Sequence, residues 1–263
     1  MKNLLCIILF FHLGKSFGQE KKWTVIKANT IALQADSYIG HDKFGDYYYL
    51  KNNILFKQNS MNNLQYKNLS LGKISKIDLQ NSLNIVLFYE SFNTIILLDN
   101  QLNEKQKITL SENNIPILAK ATGLSFGNRL WIYNSLSQQI GLFDYLKSEF
   151  KPITTPFKGT IRQYFSDFNT FYWIDEKQNW YQCSINGQIT HIGKIPEFDI
   201  VQIISNSELL FKKNNELYHY SIKEKRIDLI AIDEKSFENF YYKDQILSIF
   251  TIEGITNYKI IIP

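Results

Sequence analysis

Cysteine, methionine, proline and histidine are all scarce in this chain of 263 residues, at two, two, five and four copies. Each shortage removes a class of protein. Two cysteines, Cys6 and Cys183, cannot build the disulfide framework of a small secreted domain. Cys183 follows Tyr181 and Gln182 in an alternating, strand-like run, the setting of a buried inert thiol and not of a reactive one. His41, His191 and His219 lie far apart. None has a second histidine, a cysteine or a carboxylate at metal-ligand spacing within one element. They are expected on strand surfaces, and no metal and no cofactor is expected.

The motifs of common catalytic machinery are missing as well. There is no P-loop, no H-E-x-x-H helix and no dinucleotide fingerprint. Residues 123–127, Gly-Leu-Ser-Phe-Gly, match a nucleophile elbow by letters alone, because they precede a strand and no helix follows. Turn glycines at a bulged strand are the expectation there. Charge of one sign is also lacking. The net charge is +4, and it falls to +2 once residues 1–18, with Lys2, Lys15 and no acid, are set aside. Lysines scattered among acids leave no basic stripe, so nucleic acid is not an expected partner.

The first 18 residues are a different kind of text. Lys2 supplies a positive start, residues 4–13 form an apolar run too short to span a bilayer, and Ser16-Phe17-Gly18 offers small residues for cleavage before Gln19. This is the pattern of a signal peptide, and residues 19–263 are expected to be the mature, single-domain protein. Cys6 stands at the start of the apolar run, which argues against a lipoprotein site. No later stretch is apolar enough for a transmembrane helix.

What the chain does have is strand-forming residues: 19 Phe, 16 Tyr and 44% hydrophobic content overall. Residues 128–145, with LWIYN, a polar turn and IGLFDY, read as a β-hairpin. The same text returns at ILFKQ/LQYKN, IVLFYE/TIILLDN, FYWID/WYQCSI, LLFKK/LYHYSI and ILSIF/ITNYKI. The first strands of these hairpins start at 54, 85, 130, 171, 209 and 246, roughly the 40-residue interval of one propeller blade. Further apolar segments precede the hairpins at 74–79, 122–126, 161–168, 199–204 and 236–242, and others follow at 105–110, 150–155, 188–195 and 226–232. Four short strands per repeat make a meander that must stack on its neighbours to bury both faces.

The expectation is therefore an all-β chain, a β-propeller of about six four-stranded blades. Residues 23–33 form a spare strand, and the last repeat lacks a fourth. A ring with an open blade would expose an apolar edge, so the N-terminal strand is expected to pair with the C-terminal blade and close it. Residues 36–46 read as a polar loop, and the short repeat from Ile54 is expected to lack or merge a strand. That irregularity leaves five and seven blades open, and a two-layer sandwich is the competing arrangement.

The runs TIILLDNQLNEKQKITL, LWIYNSLSQQIGLFDYLKSEFKPITTPF and SFENFYYKDQILSIFTIEGITNYKIIIP resemble uncharacterised exported β-propeller-like proteins of flavobacteria and related Bacteroidota. The resemblance covers nearly the whole mature chain. It implies a Gram-negative envelope setting, with the periplasm as destination, but brings no activity and no catalytic residue with it.

Carboxylates are the remaining catalytic candidates, since a glycosidase needs two at a set separation. Asp78, Asp167, Asp199 and Glu238 lie on the inner segments, each near the first strand of a hairpin, where solvated, turn-forming acids at strand ends are the simpler reading. The Asp-box, Trp-docking and Trp-Asp signatures of well-known propellers are absent. The loop from Asp36 to Asp46 carries three Asp, yet Tyr38, Ile39 and Phe44 break the alternation that a calcium loop requires. Most of Trp131, Tyr133, Phe143, Tyr145, Tyr172, Trp173, Trp180, Tyr181, Tyr218, Tyr220, Tyr241 and Tyr242 are expected between blades. A minority would be free to line a binding face that the sequence does not locate.

The functional expectation is a non-catalytic exported scaffold that binds other envelope proteins, in outer-membrane protein assembly or type IX secretion, with peripheral outer-membrane association. A ligand-binding sensor and a carbohydrate- or lactone-acting hydrolase of the central channel are the alternatives.

Overall fold

The structure, a computed structural model, describes residues 23–261; the expected signal peptide lies outside them. Each repeat is a four-stranded antiparallel meander, and there are six. From the channel outward, blade 1 is β2–β5 (Ser37–His41, Tyr47–Lys51, Ile54–Gln58, Asn63–Tyr66) and blade 2 is β6–β9 (Lys76–Asp78, Ile85–Tyr89, Thr94–Leu98, Glu104–Thr109). Blade 3 is β10–β13 (Ala119–Leu124, Arg129–Asn134, Gln139–Asp144, Glu149–Pro152) and blade 4 is β14–β17 (Gln163–Ser166, Thr170–Ile174, Asn179–Ser184, Ile189–Lys194). Blade 5 is β18–β21 (Ile200–Ile203, Glu208–Lys213, Glu216–Ser221, Arg226–Ile230). Blade 6 takes β22–β24 (Asn239–Lys243, Ile246–Thr251, Gly254–Ile261) and, as its outermost strand, β1 (Thr24–Ala32).

The ring closes as expected. β1 lies antiparallel on β24, from Thr24 opposite Ile261 to Ala32 opposite Gly254. The hydrophobic clusters state the same fact in packing terms, one for each junction between neighbouring blades. Strand alternation produces this: on β11, Leu130 and Ile132 face blade 2 while Trp131 and Tyr133 face blade 4. Every aromatic of the sequence-level set lies in one of these clusters or packs against it.

Three expectations about strands need correction, all in blade 1. Residues 36–46 are not simply a loop, because they contain the innermost strand β2. Blade 1 lacks no strand, and the hairpin from Ile54 is its third and fourth strand, not its second and third. The second strands therefore start at 47, 85, 129, 170, 208 and 246. The first of these, YYYLK, is the strand without a counterpart among the hairpins read from sequence, and it is turned by Asn52-Asn53 with φ of 52° and 60°. That left-handed pair is the two-residue turn matching strand twist, and asparagine tolerates it better than most residues.

Asparagines at the second turns of blades 1 to 3 also bind the connectors between blades. Asn53 Nδ2 donates to the Gly72 carbonyl, and its Oδ1 accepts from Ile74 N. Asn93 does the same across Ile117 and Ala119, and Asn134 across Pro116 and Leu118. Each side chain satisfies connector backbone groups that would otherwise lack partners.

His219 was expected on a strand surface, and the structure corrects its placement. It is 3% exposed, lies 4.6 Å from the Trp23 ring, and neither ring nitrogen has a hydrogen-bond partner among the described residues. Asp228 Oδ2 stands 3.5 Å from Nδ1, too far for a good bond. Burial holds its pKa below the usual imidazole range, against the pull of Glu208 and Asp228 and with the push of Arg226. A lowered folded value means that the unfolded chain takes the proton first. The stability that neutral His219 contributes is thus complete above about pH 6.5 and is lost as pH falls below it. Urea midpoints at pH 7.5 and 5.5 are expected to differ less in His219→Leu than in the parent. Part of the slope persists, because burial and the nearby Lys243 also lower the pKa of His41.

Candidate functional site

A meander around an axis has two faces. The front face carries the first and third turns of each blade; the back face carries the second turns and the connectors between blades. Between them runs a central channel lined by the innermost strands, β2, β6, β10, β14, β18 and β22, around a cavity of about 360 Å³.

The channel wall is mixed in character: Lys76, Asp78, Gln80, Thr122, Ser166, Gln202 and Asn239 share it with Tyr164, Tyr241 and aliphatic residues. Several of the polar groups bridge blades. Gln202 exchanges two hydrogen bonds with the Tyr242 backbone, and Asn239 Nδ2 donates to the Tyr38 carbonyl. Asp78 accepts from Leu124 N and Gln80 N, each at 2.8 Å. Desolvation raises its pKa despite those bonds, and desolvation lowers that of Lys76 despite the nearby Asp78. Both groups are thus drawn toward their neutral forms.

The four carboxylates named from sequence do not converge. Asp78 alone lines the channel. Asp167 caps the first turn of blade 4 by accepting from Asn169 N and Thr170 N. Asp199 accepts from Asn214 N beside Lys213, which keeps its pKa below the usual carboxylate range. Glu238 is exposed just before β22. Among the described residues no group of three or more His, Cys, Asp or Glu is placed to hold a metal. His41 is half-buried near the front, 5.3 Å from the Tyr241 ring, and His191 is exposed beside Tyr181. Cys183 is fully buried, and burial pushes its thiol up to about 12.

Between Asp42 and Asp46 an ammonium stands where a calcium ion would have to sit. Lys57 Nζ lies 2.9 Å from Asp46 Oδ2 and 3.9 Å from Asp42 Oδ2, with all three side chains at or below 10% exposure. Tyr48 Oη donates to Asp42, and the same lysine donates to the Asn100 carbonyl of blade 2.

The front face holds what the sequence reading missed. Phe44, Leu83, Phe126 and Phe168 are 68, 57, 61 and 38% exposed. All four lie in the first turns of blades 1 to 4. Phe44, Leu83 and Phe168 border one cavity of about 330 Å³ with Lys43 and Lys243. Phe126 N and Ser125 Oγ both donate to the Phe168 carbonyl, which fixes those two turns together. The signal was present in the sequence as Phe44-Gly45, Leu83-Asn84, Phe126-Gly127 and Phe168-Asn169, an apolar residue before a turn residue in successive repeats. Blades 5 and 6 break it with Ser205-Asn206-Ser207 and Asp244-Gln245.

No protein-family model matches the chain, and no curated protein matches it in sequence. Solved structures do match in shape. Virginiamycin B lyase from Staphylococcus aureus is 13% identical with a TM-score of 0.58, covering 91% of this chain and 100% of that one. The β-propeller domain of Myceliophteria thermophila Cps50 (Swd1) is 9% identical with a TM-score of 0.58, covering 90 and 99%. BamB from Moraxella catarrhalis is 9% identical with a TM-score of 0.51, covering 90 and 100%. One neighbour is a lyase by name and the others are not, so at these identities the shared property is the fold: this chain is a six-bladed β-propeller.

Proposed function

We propose that the protein is an exported, non-catalytic scaffold of the Gram-negative cell envelope and that its front face docks another protein. The observation that carries this reading is the half-crown of Phe44, Leu83, Phe126 and Phe168. Four large apolar side chains held out by consecutive turns cost solubility, and nothing in the fold requires them there. Aromatic anchors on a rigid frame are what protein interfaces use. Lys43 and Lys243 flank the cavity, while the Asp42 side chain at its edge is 2% exposed and shares Lys57 with Asp46, which favours a partner segment with apolar side chains and acidic neighbours. Outer-membrane protein assembly and type IX secretion are two envelope processes that such a platform would serve.

The test is affinity capture from gently solubilised native membranes, followed by binding of the purified candidate. Phe44→Ser/Phe126→Ser/Phe168→Ser is expected to weaken that binding at least about 100-fold, since a buried aromatic anchor contributes about 2 kcal/mol or more. The melting temperature should stay close to the parent's, because the three side chains fill no core. Undiminished binding by the triple variant, or no envelope protein captured by the parent, would refute the reading.

A further inference from the structure

We infer that the back mouth of the channel is a binding site for a carboxylate-bearing ligand, with the ammonium of Lys76 as its anchor. This goes beyond the docking reading, which concerns the opposite face. Lys76 opens β6 and borders both the channel cavity and a larger back-face groove of about 610 Å³. Gln163 and Tyr164 also border both, so these three residues stand where groove and channel adjoin.

The lysine has no ionic partner. No carboxylate among the described residues comes within 4.0 Å of Nζ, whose close neighbours are the rings of Tyr164 at 5.1 Å and Phe165 at 5.4 Å. Asp78 shares its strand face two residues on, but its oxygens are turned to the backbone amides of Leu124 and Gln80. A charge in such a setting normally pairs or moves toward neutrality, and desolvation holds the pKa of Lys76 below the usual lysine range.

The groove supplies what an anion needs. Lys120 is spent on Glu90 at 2.7 Å, which leaves Lys76 and Arg162 facing the single acid Glu176. The Arg162 guanidinium is held in place, stacked 4.3 Å from the Phe198 ring centre with one nitrogen donating to the Phe198 carbonyl. One buried polar atom in the channel wall, Thr122 Oγ1, is also without a partner at 2% exposure. A planar anion accepting from Lys76, with its body in the groove, satisfies the lysine without disturbing any bond described above.

Titration calorimetry with matched pairs tests this. Phenylacetate, galacturonate and the tripeptide Ala-Ala-Phe are measured against phenylacetamide, galactose and the amidated tripeptide, which also separates small acid, sugar acid and peptide terminus. At least one acid is expected to bind with a Kd below about 1 mM, with its neutral counterpart at least tenfold weaker. Lys76→Met and Lys76→Gln should each lose at least tenfold, and Lys76→Arg should retain binding. The inference is overturned if no acid reaches that affinity, if a neutral counterpart binds equally, or if the folded Met and Gln variants bind like the parent. Front-face partner binding should be unchanged by these substitutions, so the two readings fail separately.

Discussion

Replacing Lys57 by methionine is expected to lower the unfolding free energy by about 3–5 kcal/mol, the usual consequence of removing one partner from a buried ion pair. Methionine conserves the length of the side chain and leaves almost no cavity, so the loss is electrostatic. Asp42 and Asp46 would then be two buried carboxylates with no cation between them, held by Tyr48, Asn59 and backbone amides alone. The link from Lys57 to the Asn100 carbonyl goes too, and with it a direct polar tie between blades 1 and 2. Because a domain of this kind is typically stable by only about 5–15 kcal/mol, the variant should unfold at a clearly lower urea midpoint. Adding Asp46→Asn should restore a large part of the loss by removing one orphaned charge. A Lys57→Met midpoint equal to the parent's would mean that the network is solvated and carries little of the fold.

How much of this was legible in the sequence depends on what kind of signal each part leaves. The repeat was readable from its second and third strands, where runs such as LWIYN and IGLFDY are buried on both faces. The innermost strand of blade 1 was not. SYIGH carries Ser, Gly and His, which are loop residues by composition, but they have different reasons to be there. Gly40, at φ of 150°, is present because a Cβ would sit 2.7 Å from the Tyr241 ring. A close approach and a turn use the same letter. His219 failed for a related reason: alternation places it on one face of β20, but cannot say that Trp23, nearly two hundred residues earlier in the chain, covers that face. The acidic loop showed its aspartates and hid its counterion, since Lys57 lies in another strand. The channel cluster of Lys76 and Tyr164 likewise joins blades 2 and 4, and only ring closure brings them together.

Removing residues 23–33 is expected to abolish the soluble monomer altogether, and supplying them as a separate peptide is expected to restore it. The middle of β1 contributes little apolar burial, for its side chains alternate only weakly and most are exposed. What it gives is backbone pairing along β24 and two anchored ends. Trp23 is buried against blade 5 at His219, and Leu33 is buried with Tyr38 and Tyr49 of blade 1. Truncating a buried tryptophan alone costs about 3–5 kcal/mol. Loss of the whole strand adds the unpaired edge of β24, a ready template for another chain. The truncated protein should therefore elute as oligomer or aggregate in size-exclusion chromatography. Refolding with a synthetic 23–33 peptide should recover monomer through strand addition. The pairing is specific: Gly254, at φ of 138°, leaves no room for a Cβ, which would lie 2.1 Å from the Ile31 carbonyl. Gly254→Val in the truncated chain should accordingly block the rescue. A monomeric truncated chain with the parent's urea midpoint would show that the ring holds without its last strand, and the closure argument would fall with it.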